Sequence, residues 1–126
     1  MRAIDTNVLV RLIVRDDPRQ TASAENFIRG GVWASVLALA ETVWTLASIY
    51  RFGSKALADS IEMLLNERDL VLQDREAIAA ALELFRAKPS LGFSDCLMLQ
   101  LARKAGHLPL GTFDRNLGKV EGAQKI

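Results

Sequence analysis

Two acidic residues of this chain stand alone in long uncharged stretches. Glu41 is the only charged residue within 32–50, and Asp95 is the only one within 89–102. Neither has a basic residue three or four positions away, the spacing at which helical side chains meet. A buried carboxylate without a partner costs several kcal/mol, so such a group is paired, protonated or bound to a cation. We therefore expect both acids to find compensation from another part of the chain.

Two further acids directly follow short apolar segments. Asp5 comes after Ile4, and Asp114 comes after Phe113. If these segments are strands, both carboxylates lie at the carboxyl ends of strands, where ligands collect in open α/β sheets. Simpler roles remain open, because Asp5 could cap the following helix and Asp114, beside Arg115, could be a surface turn residue.

Four carboxylates that converge on one sheet edge would repel one another unless divalent cations neutralised them. The chain has a single cysteine, Cys96, and a single histidine, His107, which is too few for a zinc site. Oxygen ligands alone favour Mg²⁺ or Mn²⁺, which bind phosphate oxygens and activate water. The chemistry indicated is phosphoryl transfer or phosphodiester hydrolysis without a histidine base. We expect His107 to be a surface residue after a helix-ending glycine.

Short apolar strands alternate with helices, which predicts the α/β class. We expect a three-layer α/β/α sandwich around a mostly parallel sheet of four or five strands, formed by residues 1–126 as one domain. The helix over 37–50 has apolar residues on every side and is predicted to be buried. The expected strands cover 2–4, 32–35, 70–72 and 108–113, with a turn and an edge strand in the tail. Of the other helices, the first is capped by Thr6 and the second begins at Pro18. Two later helices are capped by Ser54 and Asp74, and the last helix spans 94–104.

Composition sets further limits. The chain is 50% hydrophobic and 25% charged, with a formal net charge of +1, so binding to nucleic acid would depend on local basic patches. The sequence has no apolar run of about 18 residues, and we expect no secretory leader. We expect a cytoplasmic protein without a membrane segment.

Four segments, in this order, resemble a known family. They are AIDTNVLVRLIVRDDPRQ at the start, ASVLALAETVWTL in the middle, and GFSDCLMLQLARKAG and GTFDRNL near the end. Together they are similar to PIN-domain proteins of the VapC type, the ribonuclease toxins of toxin–antitoxin pairs. The resemblance implies a parallel α/β/α sandwich that binds Mg²⁺ or Mn²⁺ and hydrolyses single-stranded regions of RNA.

The family's functional residues can be carried over by position. The resemblance implies catalytic, metal-binding acids and small polar residues that position water, carboxylates or substrate phosphate. The acids are Asp5, Glu41, Asp95 and Asp114, and the polar residues are Thr6, Asn7, Ser94 and Thr112.

The resemblance also implies partners. A toxin of this type is expected to bind RNA, to form a homodimer, and to be silenced by a cognate antitoxin whose disordered tail folds across the groove. Apolar residues of the second and fourth helices could form an interface or the core, and two tryptophans are expected in core or interface, with stacking on RNA bases as a less favoured alternative. These residues are Phe27, Ile28, Leu57, Leu64, Trp33 and Trp44.

Other readings stay open. The chain could be a housekeeping RNA-processing nuclease of the same fold without an antitoxin, or an inactive interaction module that keeps only the fold. An aspartyl-phosphate phosphatase also begins with an acid at a strand end, but it needs a second acid two residues later, where this chain has Asn7.

Overall fold

The computed structural model describes all 126 residues as six helices and five short strands. The chain divides into two compact units, Met1–Arg75 and Glu76–Ile126. In chain order the elements are β1 (Arg2–Ile4), α1 (Thr6–Val14), α2 (Pro18–Ile28), β2 (Val32–Ala34), α3 (Val36–Ser48), α4 (Ser54–Leu65), β3 (Leu70–Leu72), α5 (Arg75–Ala87), α6 (Phe93–Ala105), β4 (Leu110–Thr112) and β5 (Ala123–Lys125).

The first unit is built on a parallel sheet in the order β1-β2-β3. One row of the sheet pairs Ala3 with Trp33 and Trp33 with Val71. Successive strand residues point to opposite faces, and Val32 and Ala34 on the opposite face are fully buried. Leucine and isoleucine side chains from the helices fill the core, among them Leu9, Leu39, Leu46, Ile61 and Leu64.

The second unit carries α5, α6 and a two-stranded parallel sheet of β4 and β5. Single turns of 3₁₀ helix at Pro89–Leu91 and Leu117–Lys119 connect these elements. The rings of Phe85 on α5 and Phe93 on α6 meet edge to face, with centroids 6.0 Å apart. This geometry is one that aromatic pairs prefer, and it fixes α5 against α6.

The predicted α/β class is confirmed, because every strand pairing is parallel and α-helices separate the first four strands along the chain. The strand over 70–72 has the predicted bounds. The strands expected over 32–35 and 108–113 are shorter, and β5 is the strand expected in the tail. That the whole chain forms one domain stays a prediction.

Two predicted helix caps are wrong by one residue. Asp5, not Thr6, caps α1, since Asp5 has extended backbone and its Oδ1 accepts a hydrogen bond from the Val8 N–H at 3.2 Å. A carboxylate at this position reaches the free N–H groups of the first turn, which leaves the Thr6 hydroxyl for another partner. At α4 the cap is Gly53, which has no side chain to bond, and Ser54 is the first helical residue.

The prediction that the third helix is buried is also wrong. Only one side of α3 is buried, by residues that include Leu39 and Val43. Leu37 is 64% exposed and Trp44 is 65% exposed, and Glu41 on the same side is exposed. Glu41 is the only charged residue of α3, so the exposed side of the helix is weakly marked and the apolar pattern overestimated burial.

The apolar residues that were expected either in the core or at an interface divide between buried and exposed positions. Ile28, Leu57 and Leu64 are buried. Phe27 and Trp33 are each 37% exposed, and the Arg2 guanidinium lies 3.9 Å from the centroid of the Phe27 ring. Trp33 and Trp44 are therefore not core residues. No helix combines the length and the apolar character that crossing a bilayer requires.

Candidate active site

Asp5 lies where β1 ends and α1 begins, and both its side chain and its backbone carbonyl bond to α1. Its Oδ1 caps α1 through the Val8 N–H, and its carbonyl oxygen accepts the first helical hydrogen bond from the Leu9 N–H at 3.3 Å. The side chain is exposed, and the cap uses only one of its two carboxylate oxygens. The simpler role considered for Asp5, the helix cap, is thus present, and it does not use the second carboxylate oxygen.

Thr6 joins this strand end to the middle of α3. Its hydroxyl donates a hydrogen bond to Glu41 Oε2 at 3.0 Å, across 35 residues of sequence. This is the distant compensation expected for Glu41. Because Glu41 is exposed, a hydroxyl and solvent are sufficient, and no buried ion pair is required. The bond places the carboxylate of Glu41 next to the residue that follows Asp5.

Asn7 contributes to a different feature. It is exposed and lines a shallow pocket of about 310 Å³ between α1 and α2. The pocket walls are mostly apolar and include Val8, Ala24 and Phe27. The positioning role expected for Asn7 stays a prediction.

Asp95 lies in the first turn of α6, where the N–H groups of the helix favour a negative charge. It is partly buried. Burial raises the pKa of its carboxyl, and the negative charge of Asp114 raises that pKa further. The charge of Asp114 therefore acts on Asp95 within the second unit. Ser94, its neighbour, is exposed.

Asp114 follows β4 and is held by its own turn. Its N–H donates to the Thr112 hydroxyl at 3.0 Å, and its Oδ1 accepts from the Leu117 N–H at 2.8 Å. Asp114 is exposed, so the turn role considered for it is present. Thr112 acts on the backbone of Asp114 and not on its carboxylate.

Within each unit the structure relates two of the predicted acids to each other. Asp5 and Glu41 flank Thr6 in the first unit, and Asp95 and Asp114 interact in the second. Neither unit by itself holds three or more His, Cys, Asp or Glu side chains placed to hold a metal ion. Convergence of all four acids stays a prediction.

The donor set fits a hard divalent cation. Each pair consists of carboxylates, which are the ligands that Mg²⁺ and Mn²⁺ prefer. The mutual repulsion of Asp95 and Asp114 is what a bound cation would relieve. Cys96 is not a competing ligand, because it is fully buried and burial raises the pKa of its thiol to about 11.

A family model described as the PIN domain matches residues 3–123. The chain belongs to the PIN domain family. Helices alternating with parallel strands are consistent with the three-layer α/β/α sandwich of a PIN domain. PIN domains are typically nucleases and generally use divalent metals. Membership of the family therefore supports a nuclease-type hydrolase. A search of curated proteins found no match.

In this PIN domain, two exposed aromatic residues lie beside candidate acids. Stacking of Trp44 on RNA was the less favoured alternative in the sequence analysis, and Phe113 was not singled out there. Trp44 follows Glu41 by three residues on α3, and Phe113, which is 80% exposed, directly precedes Asp114. For Trp44 a signal existed, because Leu37, Glu41 and Trp44 have the spacing of one helix face. An acid on such a face indicates that it is exposed.

Proposed function

We propose that this PIN domain protein is an endoribonuclease that depends on Mg²⁺ or Mn²⁺ and hydrolyses phosphodiester bonds in RNA. The observation that carries the proposal is the hydrogen bond from Thr6 to Glu41. It holds Glu41 beside the residue that follows Asp5, which supports a shared polar site of these two acids, 36 positions apart in the sequence, at the carboxyl end of β1. A nuclease fold with such a site is best explained by phosphodiester chemistry.

The cation would be held by Asp5, Glu41, Asp95 and Asp114. When bound, it would polarise the phosphate and lower the pKa of water so that water can attack phosphorus near neutral pH. The balanced reaction adds water across one P–O bond. We propose that the bond to the 3′ oxygen breaks, which leaves a 3′ hydroxyl and a 5′ phosphate.

The chain's own residues would orient this site. Thr6 fixes one carboxylate oxygen of Glu41 through its hydroxyl. The capping bond from Val8 fixes one oxygen of Asp5, and the turn through Thr112 and Leu117 fixes Asp114. Ligands held in this way lose less conformational entropy when a cation binds.

We further propose a role as the toxin of a toxin–antitoxin pair in the cytoplasm, as a homodimer silenced by a cognate antitoxin. The support is the order and spacing of the four segments that resemble VapC-type proteins. The housekeeping nuclease is the second candidate, and the polar site favours it equally. The inactive module is disfavoured, because it gives no reason for the pairing of Glu41 with Thr6.

The first experiment is cleavage of a mixed RNA pool by the purified full chain, with Mg²⁺, Mn²⁺ or EDTA. The Asp5→Asn variant is the matched control, because asparagine keeps the helix cap while it removes the charge. Cleavage that requires both the cation and Asp5 supports the proposal. Cleavage by Asp5→Asn at the wild-type rate, or in EDTA, overturns it.

The toxin role has a separate test. Induced expression of the wild-type chain should arrest growth, and expression of Asp5→Asn should not. Co-expression of a small protein encoded beside this chain should restore growth and copurify with it. An active nuclease that leaves growth unchanged would favour the housekeeping role.

A further inference from the structure

Trp44 presents most of its indole to solvent next to a candidate catalytic acid. It is 65% exposed on α3, and Glu41 lies three residues before it on the same side of the helix. Residues with this spacing have Cβ atoms about 5–6 Å apart. The indole of Trp44 and the carboxylate of Glu41 are thus close enough for one nucleotide to contact both.

Rotation of α3 cannot bury this indole. The opposite side of α3 carries the fully buried Leu39 and Leu46, and Thr42 there is also buried. Any rotation that covered Trp44 would bring these side chains into water. Exposure of Trp44 is therefore a property of the packed helix, and tryptophan is the aromatic residue with the largest area for stacking.

The same combination occurs in the second unit. Phe113 is 80% exposed and directly precedes Asp114. Each unit therefore has one exposed aromatic ring beside one candidate acid. Aromatic rings beside a phosphate-binding site are typical of proteins that hold single strands, because every base offers a face for stacking.

We propose that Trp44 stacks on an unpaired base of the substrate strand, adjacent to the phosphate bound near Asp5 and Glu41. The inference rests on the proposed nuclease function and adds the feature that selects unpaired strands. A base within a duplex has both faces covered by its neighbours, so it cannot offer one to Trp44. Trp44 is a positioning residue in this scheme, and the carboxylates remain the catalytic residues.

Fluorescence can test this directly, because the chain has only two tryptophans. In the full-length Trp33→Phe variant, Trp44 is the single tryptophan. The probes are a short unstructured RNA and a duplex of the same length, titrated in Ca²⁺ in place of Mg²⁺, with gels to confirm that the RNA stays intact. We expect saturable quenching with the single strand and little with the duplex.

Variants supply the second readout. Trp44→Ala should weaken binding of the single strand about 5- to 150-fold, and Trp44→Phe should restore most of the loss. Ile49→Ala is the matched control. Ile49 is 64% exposed and follows α3 by one residue, and five residues of helix place it about 140° around the axis from Trp44.

Three results would overturn the inference: no quenching, equal quenching by the duplex, or equal losses in Trp44→Ala and Ile49→Ala. If a second copy of the chain covers Trp44 instead, Trp44→Ala will change the molar mass in solution and leave RNA affinity unchanged, which also overturns it. Metal-dependent cleavage by the wild-type chain is measured in parallel. The proposed function therefore stands or fails independently of Trp44.

Discussion

The Thr6 hydroxyl and the Glu41 carboxylate are 3.0 Å apart, and this hydrogen bond connects the first residue of α1 to the middle of α3. It exists because Asp5 takes the capping position of α1. Had Thr6 capped the helix, its hydroxyl would have been directed to an N–H of the first turn. The identity of the cap thus decides which side chain can orient Glu41.

Removal of this hydroxyl should slow cleavage without unfolding the protein. Thr6→Val keeps the shape of the side chain and should lower kcat about 10- to 100-fold, the usual cost of losing a partner that orients a metal ligand. Thr6→Ser keeps the hydroxyl and should retain most activity. Steady-state kinetics with circular dichroism as the folding check measure both. Equal activity of Thr6→Val and wild type would contradict the positioning role.

Two variants of Asp5 should separate its contribution to stability from its contribution to cleavage. Asp5→Asn keeps an N-cap of equal quality, so its stability should match the wild type while cleavage falls to background. Asp5→Ala loses the cap and should cost about 0.5–2 kcal/mol in the free energy of unfolding as well as the activity. Urea denaturation gives the stabilities. If Asp5→Ala unfolds at the wild-type urea concentration, the capping bond contributes nothing.

The sequence predicted element types well because strand and helix periods are local properties. β3 was placed at its observed bounds, and Pro18 correctly marked the start of α2. Burial was harder to predict. In α3 a single charged residue, Glu41, shares a helix face with Leu37 and Trp44, and this one acid did not outweigh the apolar pattern that predicted burial.

The sequence predicted which acids belong to the candidate site, but it did not predict which residues contact them. Isolation in sequence identified Glu41 and Asp95, but it assumed that both were buried. Only Asp95 is partly buried, and Glu41 is exposed. The partner of Glu41 lies 35 residues away, and a contact at that separation depends on how α1 packs on α3. Local patterns cannot supply it.

The raised pKa of Asp95 should make stability depend on pH in a defined direction. An acid with a higher pKa in the folded state binds more protons when folded, so stability falls as pH rises. The penalty is absent below the usual Asp pKa of 3.8 and is complete above the raised pKa of the folded state. Asp95→Asn lacks this penalty, so its stability relative to wild type should improve from acidic to neutral pH.

Thermal unfolding of both proteins across that pH range measures this difference. Glu83→Gln, which removes an exposed charge on α5 of the same unit, controls for the loss of one negative charge. A relative stability of Asp95→Asn that is constant with pH, or that declines toward neutral pH, would show that burial and Asp114 do not act on Asp95 as the structure indicates.

Cation binding should stabilise the folded chain through the same carboxylates. A ligand at about 100 times its Kd adds about 2.7 kcal/mol to the free energy of unfolding, so Mn²⁺ should raise the Tm of the wild type and EDTA should reverse the rise. Asp5→Asn and Asp95→Asn should each reduce the shift, because each removes one ligand charge. The matched control is Asp59→Asn, whose exposed carboxylate pairs with Lys55 at 2.7 Å on α4. A control shift as small as that of Asp5→Asn would mean that Mn²⁺ stabilises through general charge, whereas a full shift in all three variants would place the cation away from Asp5 and Asp95.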